Sequence, residues 1–521
     1  MKKKFFALVA LLITAFAFAQ NDVDAMRYSQ TSSYGDARFM AMGGAFGSLG
    51  ANISCINFNP AGIAMYRKGE IILTPGLQFQ SATANHYGTN SSDFSTKLSL
   101  SNIGFVAAWD QQPKSNQAPA YQPYTSDRYG PGSNAPQPPK PNKTEDIPDR
   151  WAFGINFNRV ADFNYHTTIE GNAKGSSISN SFRDAANGYG PSQLSDYYEG
   201  MAYQTYLINP STDSSHYYNW PDYSNNQQTL KQTKSIQSSG RVGELAFALA
   251  HSFHDQFYIG GGIGVPFAKY NYLSTYTETD DKGQVPYFNS LQFQENLTTS
   301  GVGFNLKGGA IYRTKQGVKF GVYGQTSTYY KFTDNYQNTL YAVYDSIPSY
   351  LGSSSNNPSY TSQPGTYAYK MRTPGKVGAS VSYVYNKLLA FSIDGEYVNY
   401  AGAKYNDNIT FFDANNAIQK KYTGTANLKA GVELNIRPIV LRAGFNSYGS
   451  PFGDVLSGKY VRNSFSGGIG FRGSHNVYLD LGFTYTKWSE HYYVIDPMYV
   501  QPSNINYSTL YVTATLGIKF N

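Results

Sequence analysis

The chain runs to 521 residues, of which only 14% are charged while Tyr alone supplies 47 and Gly 50, and its mean hydropathy is negative. That balance excludes a highly charged soluble protein and a bundle of apolar helices; it suits a membrane β-barrel, whose strands face water on one side and whose interfaces carry aromatics. The formal net charge of +7 includes Lys2, Lys3 and Lys4 near the N-terminus, which leaves too little to argue for a nucleic-acid partner.

Lys2 to Lys4, an apolar run from Phe5 to Phe18 and the small-residue pattern Ala17-Phe18-Ala19 form the three parts of a secretory signal. Residues 1–19 are therefore read as a signal peptide, because the run falls short of the ~20 apolar residues a helical span needs. Residues 20–69 are read as an N-terminal tail and a plug. Gln20 to Asp36 is polar and reads as loose chain. Ala37 to Tyr66 is small, Gly-rich and apolar, carries Asn59-Pro60-Ala61 near its end, and lacks the period of two that marks everything after it. It does not read as wall, so it is expected inside a barrel. Gly43 and Gly44 allow tight backbone paths, and Phe39, Met42 and Phe46 offer apolar surface to a ligand. Pro60 fixes its own φ and biases Asn59 away from helix, which leaves Asn59 to cap the turn that begins at Ala61. Cys55 stands alone, so no internal disulfide is possible, and no zinc-site spacing surrounds it.

Residues 70–521 read as the barrel. Segments of ~10 residues or more, the length of a tilted transmembrane strand, alternate apolar and polar residues. They begin with Glu70–Thr83, Lys97–Asp110, Arg150–Tyr165, Arg241–His254 and Gln256–Tyr270, and end with Ser508–Phe520 as the fourteenth. An even count lets an antiparallel sheet close with both ends on one side. Tight turns such as His254-Asp255-Gln256, Asn386-Lys387 and Arg437-Pro438 fall at one end, and long loops, the longest at 167–240, fall at the other. The Pro-rich insertion at 111–149 breaks this rule on the tight-turn side. Parity sends Val512, Ala514, Leu516 and Ile518 to lipid. It sends Asp394, Glu396, Lys429, Glu433, Arg442, Arg472 and Asp480 to the lumen, because a charge on the lipid face costs ~2–4 kcal/mol at the midplane. Trp488, Tyr492, Tyr493, Tyr329 and Tyr330 are expected in an outer aromatic girdle. The chain contains no Gly-x-Ser-x-Gly elbow and no His-Glu-x-x-His pattern, so neither enzyme nor metal nor cofactor chemistry is expected.

Ala37 to Ala64, with Gly43-Gly44-Ala45 and Asn59-Pro60-Ala61-Gly62, resembles the N-terminal hatch of the FadL/TodX-type outer-membrane transporters of hydrophobic compounds. Pro374 to Ser380, Asp394-Gly395-Glu396-Tyr397, Lys429 to Leu434, Leu441 to Phe445 and Ser464 to Phe471 resemble that family's C-terminal strands in their usual order. The resemblance implies an all-β fold, a fourteen-stranded antiparallel transmembrane β-barrel with an N-terminal plug in its lumen. It implies a monomer surrounded by outer-membrane lipid that takes up long-chain fatty acids or other hydrophobic small molecules. Such a ligand would be captured in extracellular loops, pass the hatch, and leave sideways through a gap in the strand around Gly154, from Trp151 to Tyr165. The hatch residues are then Gly43, Gly44, Phe46, Phe58, Asn59, Pro60 and Ala61, and the ligand contacts Phe39, Met42, Leu194, Met201, Leu207 and Arg442, although Arg442, like Arg38 and Arg472, is equally placed to neutralise Glu433, Asp480 or Asp394 within the lumen, since buried charges are normally paired. Leu194, Met201 and Leu207 lie at roughly helical spacing in the longest loop, where they form either a capture groove or the packing of that loop onto the rim. Two other functions stay open: a protein-interaction or secretion-associated barrel of the same superfamily, and haem uptake.

Overall fold

The computed structural model describes residues 22–30, 32–110, 149–352, 355–453, 460–473 and 476–520. The signal peptide expected at 1–19 and, apart from Asp149, the insertion at 111–149 lie outside the described residues. No described helix is long and apolar enough to cross a membrane.

Fourteen strands among the described residues make one closed antiparallel sheet. They are β1 (Gly69–His86), β2 (Thr89–Asp110), β3 (Arg150–Asp162, continued by Tyr165–Lys174), β4 (Thr229–Phe253), β5 (Phe257–Thr279), β6 (Phe288–Arg313) and β7 (Val318–Gln325, continued by Tyr329–Tyr344). There follow β8 (Gly365–Arg372, continued by Lys376–Tyr385), β9 (Leu389–Asn399, with Lys404–Tyr405), β10 (Gly424–Ile436), β11 (Ile439–Tyr448), β12 (Arg462–Arg472), β13 (Val477–Tyr492) and β14 (Ser503–Phe520). β1 pairs with β14 from Gly69↔Phe520 to Asn85↔Asn504, which closes the wall. Closure matters because an open strand edge in hydrocarbon would leave its N–H and C=O groups without partners.

Alternation sets the two faces of the wall. On β13 Val477, Leu479, Leu481 and Phe483 are exposed while Asp480 is buried, and Ile259, Val302, Val381 and Leu516 continue the exposed apolar belt around the outside. Three residues read as girdle face inward instead. Tyr330 is buried next to the outward Tyr329, and Trp488 and Tyr492 pack against the inner cluster at the long-loop end; neighbouring residues of a strand point to opposite faces, so a run of adjacent aromatics cannot all meet lipid.

The strands run well beyond their expected ends on the long-loop side. β1 and β2 form one continuous hairpin down to His86↔Thr89. The Ser/Thr/Asn-rich stretch that reads as loop is held there by backbone pairing across Tyr87-Gly88, both with positive φ, as a two-residue hairpin turn requires. The loop expected at 167–240 is correspondingly reduced to 175–228.

That loop folds into a cap. It contains α3 (Ile178–Ala186) and α4 (Glu199–Gln204), numbered after α1 (Asp22–Ser29) and α2 (Ala37–Ala41) of the N-terminal segment. Phe182, Met201, Leu207 and Trp220 join a buried cluster with Tyr276, Phe293, Leu340 and Tyr344 of the wall. The Glu278 carboxylate of β5 accepts from Ser177 Oγ at 2.6 Å and from the Ile178 N–H at 2.7 Å, which caps α3 and ties it to the rim.

The described part of the N-terminal tail, read as loose chain, contains a helix packed within the barrel. α1 lies among inward-facing aromatics, with the Tyr28 ring 4.4 Å from Phe332 and 5.8 Å from Phe163. Asp22 meets Lys421 Nζ at 3.0 Å, at the end of α5 (Phe412–Lys421) in a long-end loop. The partners that hold this polar helix come from segments hundreds of residues away, which is why its own composition reads as disorder.

Candidate functional site: hatch, cavity and split seam

Residues 37–66 form the plug, three short turns held by their own caps. Asp36 accepts from the N–H groups of Arg38 and Phe39 to start α2. Asn52 caps Ile53–Asn57 through the Ser54 N–H. Asn59 caps Pro60–Met65 by accepting from the Ala61 N–H at 3.2 Å, while its Nδ2 donates to Gly47 O at 2.5 Å. Asn59 thus closes one hatch loop onto another. Gly43 and Gly44 have φ of +63° and +75°, as expected of residues that turn the backbone tightly.

The wall makes room for this plug by omitting side chains. A Cβ at Gly260 would stand 2.5 Å from Ala61 N and one at Gly431 would stand 2.5 Å from Met42 O; Gly309 faces Asn59 Oδ1 and Gly444 faces Gly43 N in the same way. Phe46, Pro60 and Ala61 are buried in this contact. So is Met42, which packs onto β10 at Gly431. Phe39 is nearly buried but reaches the cavity edge, and Phe58 is half-buried with its ring turned into the cavity.

A ladder of charges fixes the hatch to the wall. Arg38 holds Glu433 through two bonds; Glu433 also takes Arg442 Nε at 2.7 Å; Arg442 Nη1 meets Asp480 at 2.9 Å, and Arg472 Nη1 meets Asp480 at 2.8 Å. Arg442, read either as a ligand contact or as a partner of lumen acids, takes the second role: it is wholly buried between Glu433 and Asp480, because a buried cation is retained only where anions compensate its lost hydration. Met201 and Leu207 are buried in the cluster of the cap and Leu194 packs against it, which is the packing read from the sequence as the alternative to a capture groove.

Between hatch and cap lies a cavity of mixed character, lined by Tyr34, Phe39, Phe58, Val160, Tyr330 and Tyr448 together with Glu244, Lys307, Glu396 and Lys429. Its charges are paired, Lys307 to Glu244 at 2.8 Å and Lys429 to Glu396 at 3.6 Å. Lys429 Nζ sits 4.1 Å over the Phe58 ring. Lys307 and Glu244 were missed from sequence, although both lie on the inward parity of their strands.

One side of this cavity is the place where the wall comes apart. Among the described residues, β2 and β3 pair only from Asn102↔Asn158 to Asp110↔Arg150. Beyond Arg159 the register of β3 slips against β4, and β3 breaks at Phe163 and Asn164. Further up, the seam is held by side chains alone: Asp93 accepts from the Thr168 N–H and Ser91 Oγ donates to Thr168 O. Between these two closures the residues 94–101 of β2 have no strand partner on that side, and Leu98 and Leu100 are exposed on the outside. The tail bolts the inside. Ser32 N–H donates to Val160 O at 3.0 Å, Asn158 Nδ2 donates to Tyr34 O at 2.9 Å, and Ser101 Oγ donates to Gly35 O at 2.9 Å. The interruption lies above Gly154, at the upper end of the segment from Trp151 to Tyr165.

A closed barrel of fourteen strands, blocked from its short-turn end by its own N-terminal segment, defines a plugged transmembrane barrel. No protein-family model matches the chain and no curated protein matches it, but solved structures do. The Pseudomonas putida toluene transporter TodX is 10% identical over 94% of this chain and 99% of its own, with a TM-score of 0.52. A Pseudomonas aeruginosa FadL homologue is 11% identical over 94% and 99%, with a TM-score of 0.51. The chain has the fold of the FadL/TodX-type transporters.

Proposed function

We propose that this protein sits in an outer membrane and takes up hydrophobic small molecules, which reach the cavity above the hatch and leave sideways through the split seam between β2 and β3. The observation that carries this reading is the seam itself, an interrupted ladder beside the central cavity, against which residues 32–35 bond from within. An apolar molecule gains ~0.8 kcal/mol per CH₂ removed from water, so a path from cavity to hydrocarbon suits it and an aqueous pore does not. The solved structures of the same fold support transport over catalysis, one being a toluene transporter. Phe58, Phe39 and Tyr330 line the ligand's place, the cap over the other mouth is where it enters, and the hatch rearranges to let the tail release the seam.

Deleting Val160 removes the residue at which β3 slips register and tests the reading directly. Uptake of a fluorescent acyl probe by cells carrying the variant is expected to fall to background while the barrel still shows the heat-dependent gel shift of a folded one. Uptake equal to that of the parent would overturn lateral exit.

A further inference from the structure

The outer face of the wall carries a basic belt immediately above the apolar one. Arg241 on β4 lies opposite Lys269 on β5, Lys331 on β7 lies opposite Lys370 on β8, and Arg372 on β8 lies opposite Lys404. The register puts all six on one face, in a band that steps by two residues between Lys269 and Lys331 and again between Lys370 and Arg372. Lys269 pairs with Ser300 and Lys331 with Val302, two residues on, while Phe267 and Val302, one pair below Lys269 and Ser300, belong to the exposed apolar belt. Among the described residues none of the six makes an ion pair. Asp162, the register partner of Arg241, is committed to Arg159. Like charges directly opposite one another destabilise a strand pair, and here the arrangement occurs three times in succession. An anion placed between the members of each pair reverses that cost.

The surface above the belt narrows the choice of anion. On the same face β5, β6 and β7 present Thr275, Thr277, Asn296, Thr298, Asn335 and Gln337, uncharged groups that both donate and accept hydrogen bonds. From bottom to top the face reads apolar, cationic and neutral polar, which complements a molecule built of acyl chains, phosphates and sugars. Given the outer-membrane placement proposed above, we infer that this face binds a phosphorylated glycolipid of the outer leaflet, with its phosphates between Arg241 and Lys269 and between Lys331, Lys370, Arg372 and Lys404. The charge-assisted bonds of Arg and Lys to phosphate are the strong contacts, and the sugars lie against the Thr/Asn/Gln rows. This belt faces away from the cavity, and although Arg241 lies beside the β3 break, lipid binding needs neither cavity nor seam.

The test uses the full mature chain purified in detergent, stripped of lipid and mixed with diphosphoryl lipid A, with the bound lipid counted by mass spectrometry. A variant with Lys269, Lys331, Lys370 and Arg372 each changed to Gln is expected to retain at least about tenfold less lipid, since each cation near a charged surface contributes ~1 kcal/mol. A control with Lys282, Lys315, Lys387 and Lys420 changed to Gln, all exposed, the first three in turns and Lys420 on α5, is expected to retain as much as the parent. Dephosphorylated lipid A is expected to bind the parent as poorly as diphosphoryl lipid A binds the belt variant, and millimolar inorganic phosphate is expected not to displace the lipid. Equal retention by the belt variant, equal binding of the dephosphorylated lipid, or displacement by free phosphate would each overturn the inference. The heat-dependent gel shift confirms that each variant is folded. Lipid retention is read without uptake, so loss of the transport reading would leave this result standing, and membrane fractionation tests the outer-membrane placement separately.

Discussion

Arg38 of the hatch and Glu433 of β10 meet in a two-point ion pair, Nε to Oε2 at 2.7 Å and Nη2 to Oε1 at 2.9 Å. A planar guanidinium fits a carboxylate in this way only when both are held in one orientation, so the contact fixes the hatch in angle as well as position. Glu433 also neutralises Arg442, and its loss leaves two guanidinium groups facing each other. Glu433→Gln is expected to cost about 3 kcal/mol, the lower end for breaking a buried pair, because Arg38 keeps some contact with water. Hydrogen exchange at the amides of 37–66 measures this, with faster exchange there and little change in the wall.

Gly309 and Gly395 form a matched pair for the fit between hatch and wall. A Cβ at Gly309 collides with Asn59 Oδ1, whereas one at Gly395 meets nothing within 4 Å. Gly309→Ala is expected to destabilise the seated hatch by ~1–3 kcal/mol, as overpacking does, and Gly395→Ala to leave it unchanged. Single-channel conductance in planar bilayers separates them, with intermittent openings expected for the first alone.

Cys55 lies wholly within the hatch, where burial pushes its thiol up to about 12. The raised value means that the folded protein keeps the proton while the unfolded chain loses it. The thiol therefore favours the folded state fully below its ordinary value of 9.0, and that contribution fades as pH rises from there toward about 12. At pH 8 the thiolate is the reactive form, so maleimide labelling is expected to be negligible in the seated hatch and rapid in Gly309→Ala whenever the hatch leaves. Labelling of the parent as fast as that of a free thiol would show that the hatch does not stay in place.

Lys421 anchors α1 to the long-end loop through Asp22, and its side chain is 46% exposed. Lys421→Ala is expected to cost only ~0.5–1 kcal/mol, as for a solvent-screened pair. The loss should appear as faster hydrogen exchange confined to 22–30, with the hatch amides unchanged. Faster exchange spreading into 37–66 would instead make α1 part of the hatch's own stability.

Strand number, closure and the two faces of the wall were legible in the chain because lipid on one side and a charged lumen on the other impose a strict period of two. The plug was legible for the opposite reason, as the one long stretch without that period, and Asn59-Pro60-Ala61 declared its turn through the chemistry of each residue. Strand ends were less legible: Ala84 to Thr96 has the composition of a loop, yet above the membrane a β-ladder needs no apolar residues, only backbone partners.

Contacts between distant segments belonged to the tertiary structure. Only the fold could choose between the two readings of Arg442, which spends its charge on Glu433 and Asp480, and of Met201 and Leu207, which are core of a cap, and show that the polar residues 22–29 form a helix among aromatics. The split between β2 and β3 was equally hidden, because a missing ladder is a property of two strands and the backbone groups that fail to pair there carry no side-chain signature. The sequence by itself determined that the chain closes into a barrel around its own N-terminal segment, since periodicity is local and additive along the strand. The tertiary structure decided where that barrel is sealed and where it is not, because seals depend on which side chains meet across hundreds of residues.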